Sequence, residues 1–432
     1  MNLQPHVPTP EATGSATQTS LTVALVPIAR TTFDIPLAEE VTHLVRAQLQ
    51  MTDFHITGPD KLVTTLEQAS QVATNLASNP PDLLVILQST FADSTMAMEL
   101  AQAVSSPLLM WAIPEQHTGG RLRLNSLCGI NLAGHALTRT GRTYETIYAA
   151  PGDPIAIVKI RALALASRVK RRLQRARLGR VGEHPAGFET CNFNDQELKQ
   201  TFGLEVVQLN LATFFEQVKK ADDRKVDAVE QQLGKRLSNL PDLDQTATRG
   251  TLGTYIALRR IAEEEHIDGF ALRCWPEFFT ELGCAACGAM SMLSNEQTPC
   301  SCEVDVNGTI TQLILQWMSG QPAFGTDLVS VDEVNDAIVL WHCGLAPQAM
   351  ADPAVEPRGT IHSNRKLPLL MEFPLKPGRV TIARLSQATG SFRLVVGGGE
   401  MIKAPPSFSG TSGVLRFDRP AHDVLGTILD EG

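Results

Sequence analysis

Short apolar runs alternate with amphipathic segments through the first part of the chain. The run LTVALVPIA, which starts at residue 21, is followed by LAEEVTHLVRAQLQM, whose apolar residues recur at helical spacing. The segments TLEQASQVATNLAS and PDLLVILQST, and then MAMELAQAVSS and PLLMWAIPE, repeat the alternation. Strands that alternate with helices predict parallel βαβ units in a doubly wound sheet, which binds ligands at the C-terminal ends of its strands.

The pattern changes twice further along the chain. The basic segment ASRVKRRLQRARLGR, residues 166–180, marks the passage to a second domain. We interpret it as a solvated helix face or a subunit contact rather than an RNA or polyphosphate site, because it contains no aromatic residues on which bases would stack. After about residue 326, DAIVLWHCG, GRVTIARLS and GSFRLVVGGGEM predict β structure. We therefore predict an α/β fold, with doubly wound parallel-sheet domains at 21–165 and 166–325 and a smaller β-rich domain at 326–432.

Composition and charge narrow the function classes. The 432 residues are 43% hydrophobic and carry a net charge of −9, which does not favour general binding to nucleic acid or to membrane surfaces. No run approaches the roughly 18 apolar residues of a membrane-spanning helix. Residues 1–20 resemble no secretory signal and are predicted to be a disordered leader. Eight cysteines without a signal predict free thiols in a cytoplasmic protein.

Two carboxylates follow apolar segments in the second domain. Glu277 lies in CWPEFF and Asp305 in CSCEVDVNG. Carboxylates at two neighbouring strand ends suit a divalent cation such as Mg²⁺ or Mn²⁺. On spacing alone, the favoured alternative is that one acid caps a helix and the other pairs with an arginine. Glu303 stands two residues before Asp305, so on an extended chain both acids would face one cavity.

Other polar residues have weaker signals. The spacing of four cysteines is compatible with a zinc site, but buried thiols are favoured because the first pair lies in a helical pattern; they are Cys284, Cys287, Cys300 and Cys302. His342 ends an apolar strand, where its side chain would reach a cleft, and His362 follows in GTIHSN. Arg121 and Asn125, in GGRLRLNSLCG, are suitable hydrogen-bond donors for a hydroxyl-rich ligand.

Five segments together resemble one family. In chain order they are RLNSLCGINLAGHAL, GFETCNFN, CWPEF, CEVDVNG and LWHCG, and the resemblance runs from about residue 21 to the end. They are similar to the L-fucose isomerase family, particularly its shorter fucose- and arabinose-isomerase-like members. The resemblance implies two α/β domains before a β-rich domain, and a homo-oligomer, either a trimer or a hexamer. It also implies Mn²⁺-dependent interconversion of an aldose and a ketose through an enediolate.

The family's functional residues match particular positions of this chain. The resemblance makes Glu277 and Asp305 the metal ligands and the proton-transfer pair, and gives Glu303 a supporting role. His342 is expected near the substrate. The family's third ligand, a histidine after a segment like VLGTILDEG, has no counterpart before Gly432. We therefore expect a truncated chain, a third ligand supplied by His342 or His362, or a non-catalytic sugar-binding or regulatory relative.

Overall fold

A computed structural model describes residues 20–432. The predicted leader, residues 1–20, lies outside the described residues except for Ser20. Contacts group the chain into two compact units, and the division between them falls between Arg172 and Leu173 in the sequence. The unit that begins at Leu173 contains the predicted second domain except for residues 166–172, together with the predicted third domain, and the boundary at 325 stays a prediction. Among residues 20–432, no helix has both the length and the apolar character to cross a membrane.

The first unit is built on one parallel sheet with the strand order β2-β1-β3-β4-β5. Alternate residues of the buried central strands pack on opposite faces, against α2, α3 and α4 on one side and against α1 and α5 on the other. The elements are β1 Thr22–Ile28, α1 Ile35–Gln50, β2 His55–Thr57, α2 Leu66–Ser78, β3 Leu83–Gln88, α3 Ser94–Ala103, β4 Leu108–Ala112, α4 Ser126–Arg139, β5 Glu145–Tyr148 and α5 Pro154–Leu173.

The basic segment spans the end of α5 and the start of the next strand. Arg168 and Arg171, on α5, both form ion pairs with Asp82, whose side chain is only 6% exposed. Asp82 also accepts a hydrogen bond from the backbone N–H of Thr22. Two of the basic residues therefore neutralise a buried carboxylate at the start of the sheet.

The second unit contains a parallel sheet with the strand order β7-β6-β8-β9. Helices α7 to α10 pack on it and share one core with the strands that follow. The elements are β6 Arg177–Val181, α6 Asp195–Phe202, β7 Glu205–Leu209, α7 Leu211–Lys219, α8 Asp223–Gly234, α9 Gln245–Glu265, β8 Gly269–Leu272, α10 Cys287–Asn295, β9 Cys300–Ser301 and α11 Val306–Ser319.

The rest of the second unit is a mixed seven-stranded sheet. Its main path is β10-β11-β16-β13-β12, and β15 joins β14 to β16. The elements are β10 Asp327–Asp332, β11 Ala337–His342, β12 Arg358–Thr360, β13 Leu370–Pro374, β14 Gly378–Ser386, β15 Arg393–Ile402, β16 Thr411–Phe417 and α12 Ala421–Glu431. Two helix-flanked parallel sheets and a strand-rich C-terminal sheet confirm the predicted fold class.

Candidate active site

The two predicted carboxylates follow adjacent strands of the second parallel sheet. Glu277 comes after β8 and Asp305 after β9, and these strands pair in parallel. Strand β6 pairs with β7 on one side and with β8 on the other, so the strand order reverses beside β6. The carboxyl edge of a sheet at such a reversal is the usual ligand crevice of open α/β sheets.

Glu277 is held by an arginine of its own loop. The Nε of Arg273 donates to Oε2 of Glu277 at 2.7 Å, and the Glu277 side chain is 23% exposed. The hydrogen bond from Arg273 lowers the pKa of the Glu277 carboxyl. Glu277 is therefore ionised at neutral pH and ready to accept a proton.

Asp305 is also engaged, but in a conformation that differs from the predicted one. Its Oδ1 accepts a hydrogen bond of 2.8 Å from the N–H of Gly308 and so caps α11, while its Oδ2 pairs with Arg384. Glu303 and Val304 have φ values of 53° and 61°, so the segment is not extended. The expectation of an extended segment from Glu303 to Asp305 is therefore wrong, because this segment leads into a capped helix.

The same two arginines anchor the segment that follows β6. Nη1 of Arg273 donates to the carbonyl oxygen of Glu183 at 2.8 Å, and Nη2 of Arg384 donates to the carbonyl oxygen of Thr190 at 2.9 Å. Within this segment, the ring of Phe188 packs edge-on against Trp275, with 5.6 Å between centroids. Residues 183–190 are thus fixed beside both carboxylates by groups that also neutralise them.

The Glu303 side chain is partly buried and contacts Trp275. The indole Nε1 of Trp275 donates to Oε1 of Glu303 at 3.2 Å. Burial raises the pKa of the Glu303 carboxyl to about 7, although the hydrogen bond from Trp275 opposes the shift. Burial therefore favours the protonated, uncharged form of the Glu303 carboxyl.

The cysteines around Glu303 correct the prediction of free thiols. Cys274 and Cys302 form a disulfide. Within residues 20–432, the one group of three or more potential ligand side chains is Cys274, Cys302 and Glu303, and the disulfide removes both thiolates from it. The favoured buried thiols are found at Cys284, Cys287 and Cys300, and the structure assembles no four-cysteine zinc site among the described residues.

His342 and His362 lie close enough to influence each other's charge. Nδ1 of His342 accepts a 2.9 Å hydrogen bond from the N–H of Cys343, and burial lowers the pKa of His342 against the attraction of Asp327. Nε2 of His362 faces Nη1 of Arg365 at 3.1 Å. Burial, followed by the charge of Arg365, lowers the pKa of His362 to about 4. Both imidazoles are therefore neutral at neutral pH.

The buried state of His362 predicts a measurable pH dependence of stability. Its pKa rises from about 4 in the folded protein to about 6.5 when unfolded. The stabilisation from the neutral ring is therefore complete above pH 6.5 and is lost as the pH falls towards 4. Between pH 7 and pH 5, we expect His362→Gln to remove about 1–2 kcal/mol of the fall in unfolding free energy. Denaturant titrations at both pH values test this, and parallel losses in both proteins would contradict it.

Arg121 and Asn125, the other predicted substrate-binding residues, belong to the first unit. Both follow β4, at the carboxyl edge of its parallel sheet. Nη2 of Arg121 donates to the carbonyl oxygen of Thr32 at 3.3 Å, and Asn125 begins α4 with a φ of 55°. The carboxylate of Glu115 accepts the N–H of Asn125 at 2.9 Å and shapes this loop. Their proposed contact with a sugar stays a prediction.

Comparison with known proteins places the chain in a family. Residues 24–170 match the model of the fucose/sulfoquinovose isomerase N-terminal domain. A sulfoquinovose isomerase of Alkalicoccus urumqiensis is 32% identical over 413 residues, covering 95% of this chain and 93% of that protein. The sulfoquinovose isomerase of Priestia megaterium is 31% identical over 95% of this chain and 92% of its own length. The chain belongs to the fucose/sulfoquinovose isomerase family.

Membership in the fucose/sulfoquinovose isomerase family confirms the resemblance found in the sequence. The protein is an aldose–ketose isomerase with a monosaccharide substrate. A third relative, the sulfoquinovose isomerase of Clostridium sp. strain MSTE9, is 32% identical over 94% of this chain and 90% of its own length. The site described above is therefore the candidate centre of an isomerase of this family.

Glu277 and Asp305 offer the oxygen ligands that a divalent cation such as Mg²⁺ or Mn²⁺ prefers. Carboxylate oxygens are ligands that Mg²⁺ and Mn²⁺ accept, and Glu277 and Asp305 offer them after adjacent strands. Oε2 of Glu277 and Oδ2 of Asp305 are the atoms that Arg273 and Arg384 hold. A cation bound here would therefore compete with two guanidinium groups.

Proposed function

We propose that this isomerase converts sulfoquinovose, a glucose with a sulfonate in place of the C6 hydroxyl, into the corresponding 2-ketose. The observation that carries the proposal is similarity along almost the whole chain to several proteins named sulfoquinovose isomerase. Since these alignments cover 94–95% of the chain, they extend over both compact units.

The reaction requires a proton to move between neighbouring carbons of the open-chain sugar. A base removes the proton from C2 beside the C1 aldehyde, which gives an enediolate. The proton then returns at C1, and the O2 hydroxyl proton passes to O1 as the carbonyl forms at C2. We assign the transfer to Glu277 and Asp305. Their positions after the adjacent strands β8 and β9, at the carboxyl edge of the sheet, support this assignment.

We further propose that Glu277 and Asp305 hold a Mn²⁺ ion. When bound, the ion supplies positive charge that stabilises the developing enediolate. The residues act around it: Asp305 keeps its position through the cap on α11, and Arg273 orients Glu277. His342, with Nδ1 already engaged, has Nε2 as its remaining ligand atom and is our candidate for the third protein ligand. Because Glu277, Asp305 and His342 are not gathered as a three-ligand group among residues 20–432, these side chains would have to draw together when the ion binds.

Hydrogen exchange tests the proposed function directly. The full chain with Mn²⁺ is incubated in D₂O with sulfoquinovose, glucose, L-fucose and D-arabinose in turn. We expect deuterium at C2 of sulfoquinovose, together with a ketose product, at the highest rate of the four. Faster turnover of a neutral sugar would overturn the substrate assignment. Saturable sugar binding without exchange would instead support a non-catalytic relative. The homo-oligomer stays a prediction for analytical ultracentrifugation.

Glu303→Gln separates a supporting role from the proton-transfer role. The glutamine keeps an acceptor for Nε1 of Trp275, which now lies 3.2 Å from the carboxylate. We expect kcat to fall about 10- to 100-fold, the usual effect of a residue that supports metal ligands. The measurement is steady-state turnover at saturating Mn²⁺. A loss as large as that of Glu277→Gln would place Glu303 in the proton transfer itself.

A further inference from the structure

Arg365 is an arginine held between aromatic rings in the loop that connects β12 to β13. Its guanidinium carbon lies 4.7 Å from the centroid of Trp275 and 5.3 Å from that of Phe279. Its Nη1 lies 3.1 Å from Nε2 of His362. Two cation–π contacts and a hydrogen bond fix the orientation of a side chain that is otherwise flexible.

Unlike Arg273 and Arg384, Arg365 forms no direct ion pair with a carboxylate among the described residues. Arg273 and Arg384 each pair with a carboxylate. None of the ion pairs formed within residues 20–432 includes Arg365, and its side chain is only half-buried. Its charge acts on the Glu303 carboxyl without a direct ion pair. A fixed guanidinium of this kind can present its N–H groups to an anion from solution, in the planar arrangement that suits an oxyanion.

The aromatic residues that hold Arg365 also place it beside the reaction site. Trp275 and Phe279 stand two residues before and two residues after Glu277. Trp275 contacts Arg365 through its ring and Glu303 through its indole N–H. The positive charge is therefore held by aromatic residues of the loop that carries Glu277, the carboxylate to which we assign proton transfer.

We propose that Arg365 binds the terminal oxyanion of the substrate and thereby selects sulfonated over neutral sugars. This inference rests on the proposed function, because it requires a sulfonated substrate. Trp275, Phe279 and His362 act as positioning residues for the guanidinium. Nε2 of His362 lies beside only one nitrogen of the guanidinium, Nη1, so the other N–H groups of Arg365 remain for the ligand.

Paired substrates test the inference. Arg365→Gln and wild type are assayed with sulfoquinovose and with 6-deoxyglucose, which has the same stereochemistry without the sulfonate. We expect kcat/KM for sulfoquinovose to fall about 10- to 100-fold, mainly through KM, as for a lost hydrogen bond to a charged group. The value for 6-deoxyglucose should change less than about threefold. Arg358→Gln, an exposed arginine seven residues earlier, is the matched control and should match wild type on both sugars.

Each other outcome is decisive. An equal loss on both sugars, or an unchanged preference for sulfoquinovose, overturns the role of Arg365. If wild type itself does not turn over sulfoquinovose, the proposed function fails before the variant is considered. Glucose 6-phosphate tests a phosphate against the sulfonate. If the wild type prefers glucose 6-phosphate to sulfoquinovose, the assignment of a sulfonated substrate is wrong. If Arg365→Gln does not fold, Arg365→Lys keeps the charge without the planar fork, and an unchanged KM for sulfoquinovose then overturns the inference.

Discussion

Glu277→Gln is expected to abolish measurable exchange of the C2 hydrogen while the protein stays folded. Glutamine has the shape of glutamate but cannot accept a proton at neutral pH. Loss of a positioned acid–base group lowers turnover by about 10²- to 10⁴-fold. The readouts are deuterium incorporation at C2, followed by NMR in D₂O, and kcat with sulfoquinovose at saturating Mn²⁺.

Two observations indicate that this substitution removes the base without disturbing the fold. Oε2 of Glu277 accepts from Arg273, and the carbonyl oxygen of glutamine can replace that acceptor. The side chain is partly exposed, so losing the ion pair should cost no more than about 1 kcal/mol of unfolding free energy. Glu281→Gln, an exposed residue of the short helix Phe278–Leu282 that follows Glu277, controls for charge removal and should leave turnover unchanged. Retained exchange in Glu277→Gln would remove Glu277 from the mechanism.

The fold was predictable because its core strands are encoded locally. The run LLVILQ of β3 is completely buried. In the helix α3 that follows, the buried residues recur at helical spacing, as in an amphipathic helix. The position of Glu277 was predictable for the same reason, since GFAL ends in the crevice loop. Local pattern and strand order together therefore determine which edge of the sheet carries the site.

The partners of the carboxylates were not predictable in the same way. Arg384 pairs with Asp305 from β14, 79 residues later and in another sheet, and no periodicity links the two. Arg273 lies four residues before Glu277, a spacing that a helix search would have flagged. The alternative that spacing favoured, a helix cap and an arginine pair, describes what the structure records at Asp305 and Glu277. This arrangement and the proposed metal site use the same oxygen atoms.

The CEVDV segment shows why a two-residue spacing was misleading. Side chains two apart point the same way only when the backbone between them is extended. Here Glu303 and Val304 are both left-handed, and the disulfide ties Cys302 to Cys274 across 28 residues. Tertiary constraints therefore set this backbone, and they send Asp305 to the start of α11 while Glu303 turns towards Trp275.

Asp305→Asn should weaken Mn²⁺ binding by about 100-fold or more, because it removes a negative charge from the proposed ligand set while keeping the side-chain shape. Asparagine caps helices as well as aspartate does, so its Oδ1 can still accept the N–H of Gly308 and α11 should begin at the same residue. The unfolding temperature should therefore change little. Binding is followed by electron paramagnetic resonance of free Mn²⁺ during titration.

The matched control for this variant is a second aspartate cap in the same unit. Asp244 begins α9 and accepts the N–H of Ala247 at 3.0 Å, and it has no proposed contact with the ion. Asp244→Asn should bind Mn²⁺ as wild type does. If Asp305→Asn also binds normally, Asp305 is not a ligand, and its pairing with Arg384 is then its structural role. If only Asp305→Asn loses the ion, Asp305 is a ligand, and its Oδ2 then binds the metal beside Arg384 or in place of it.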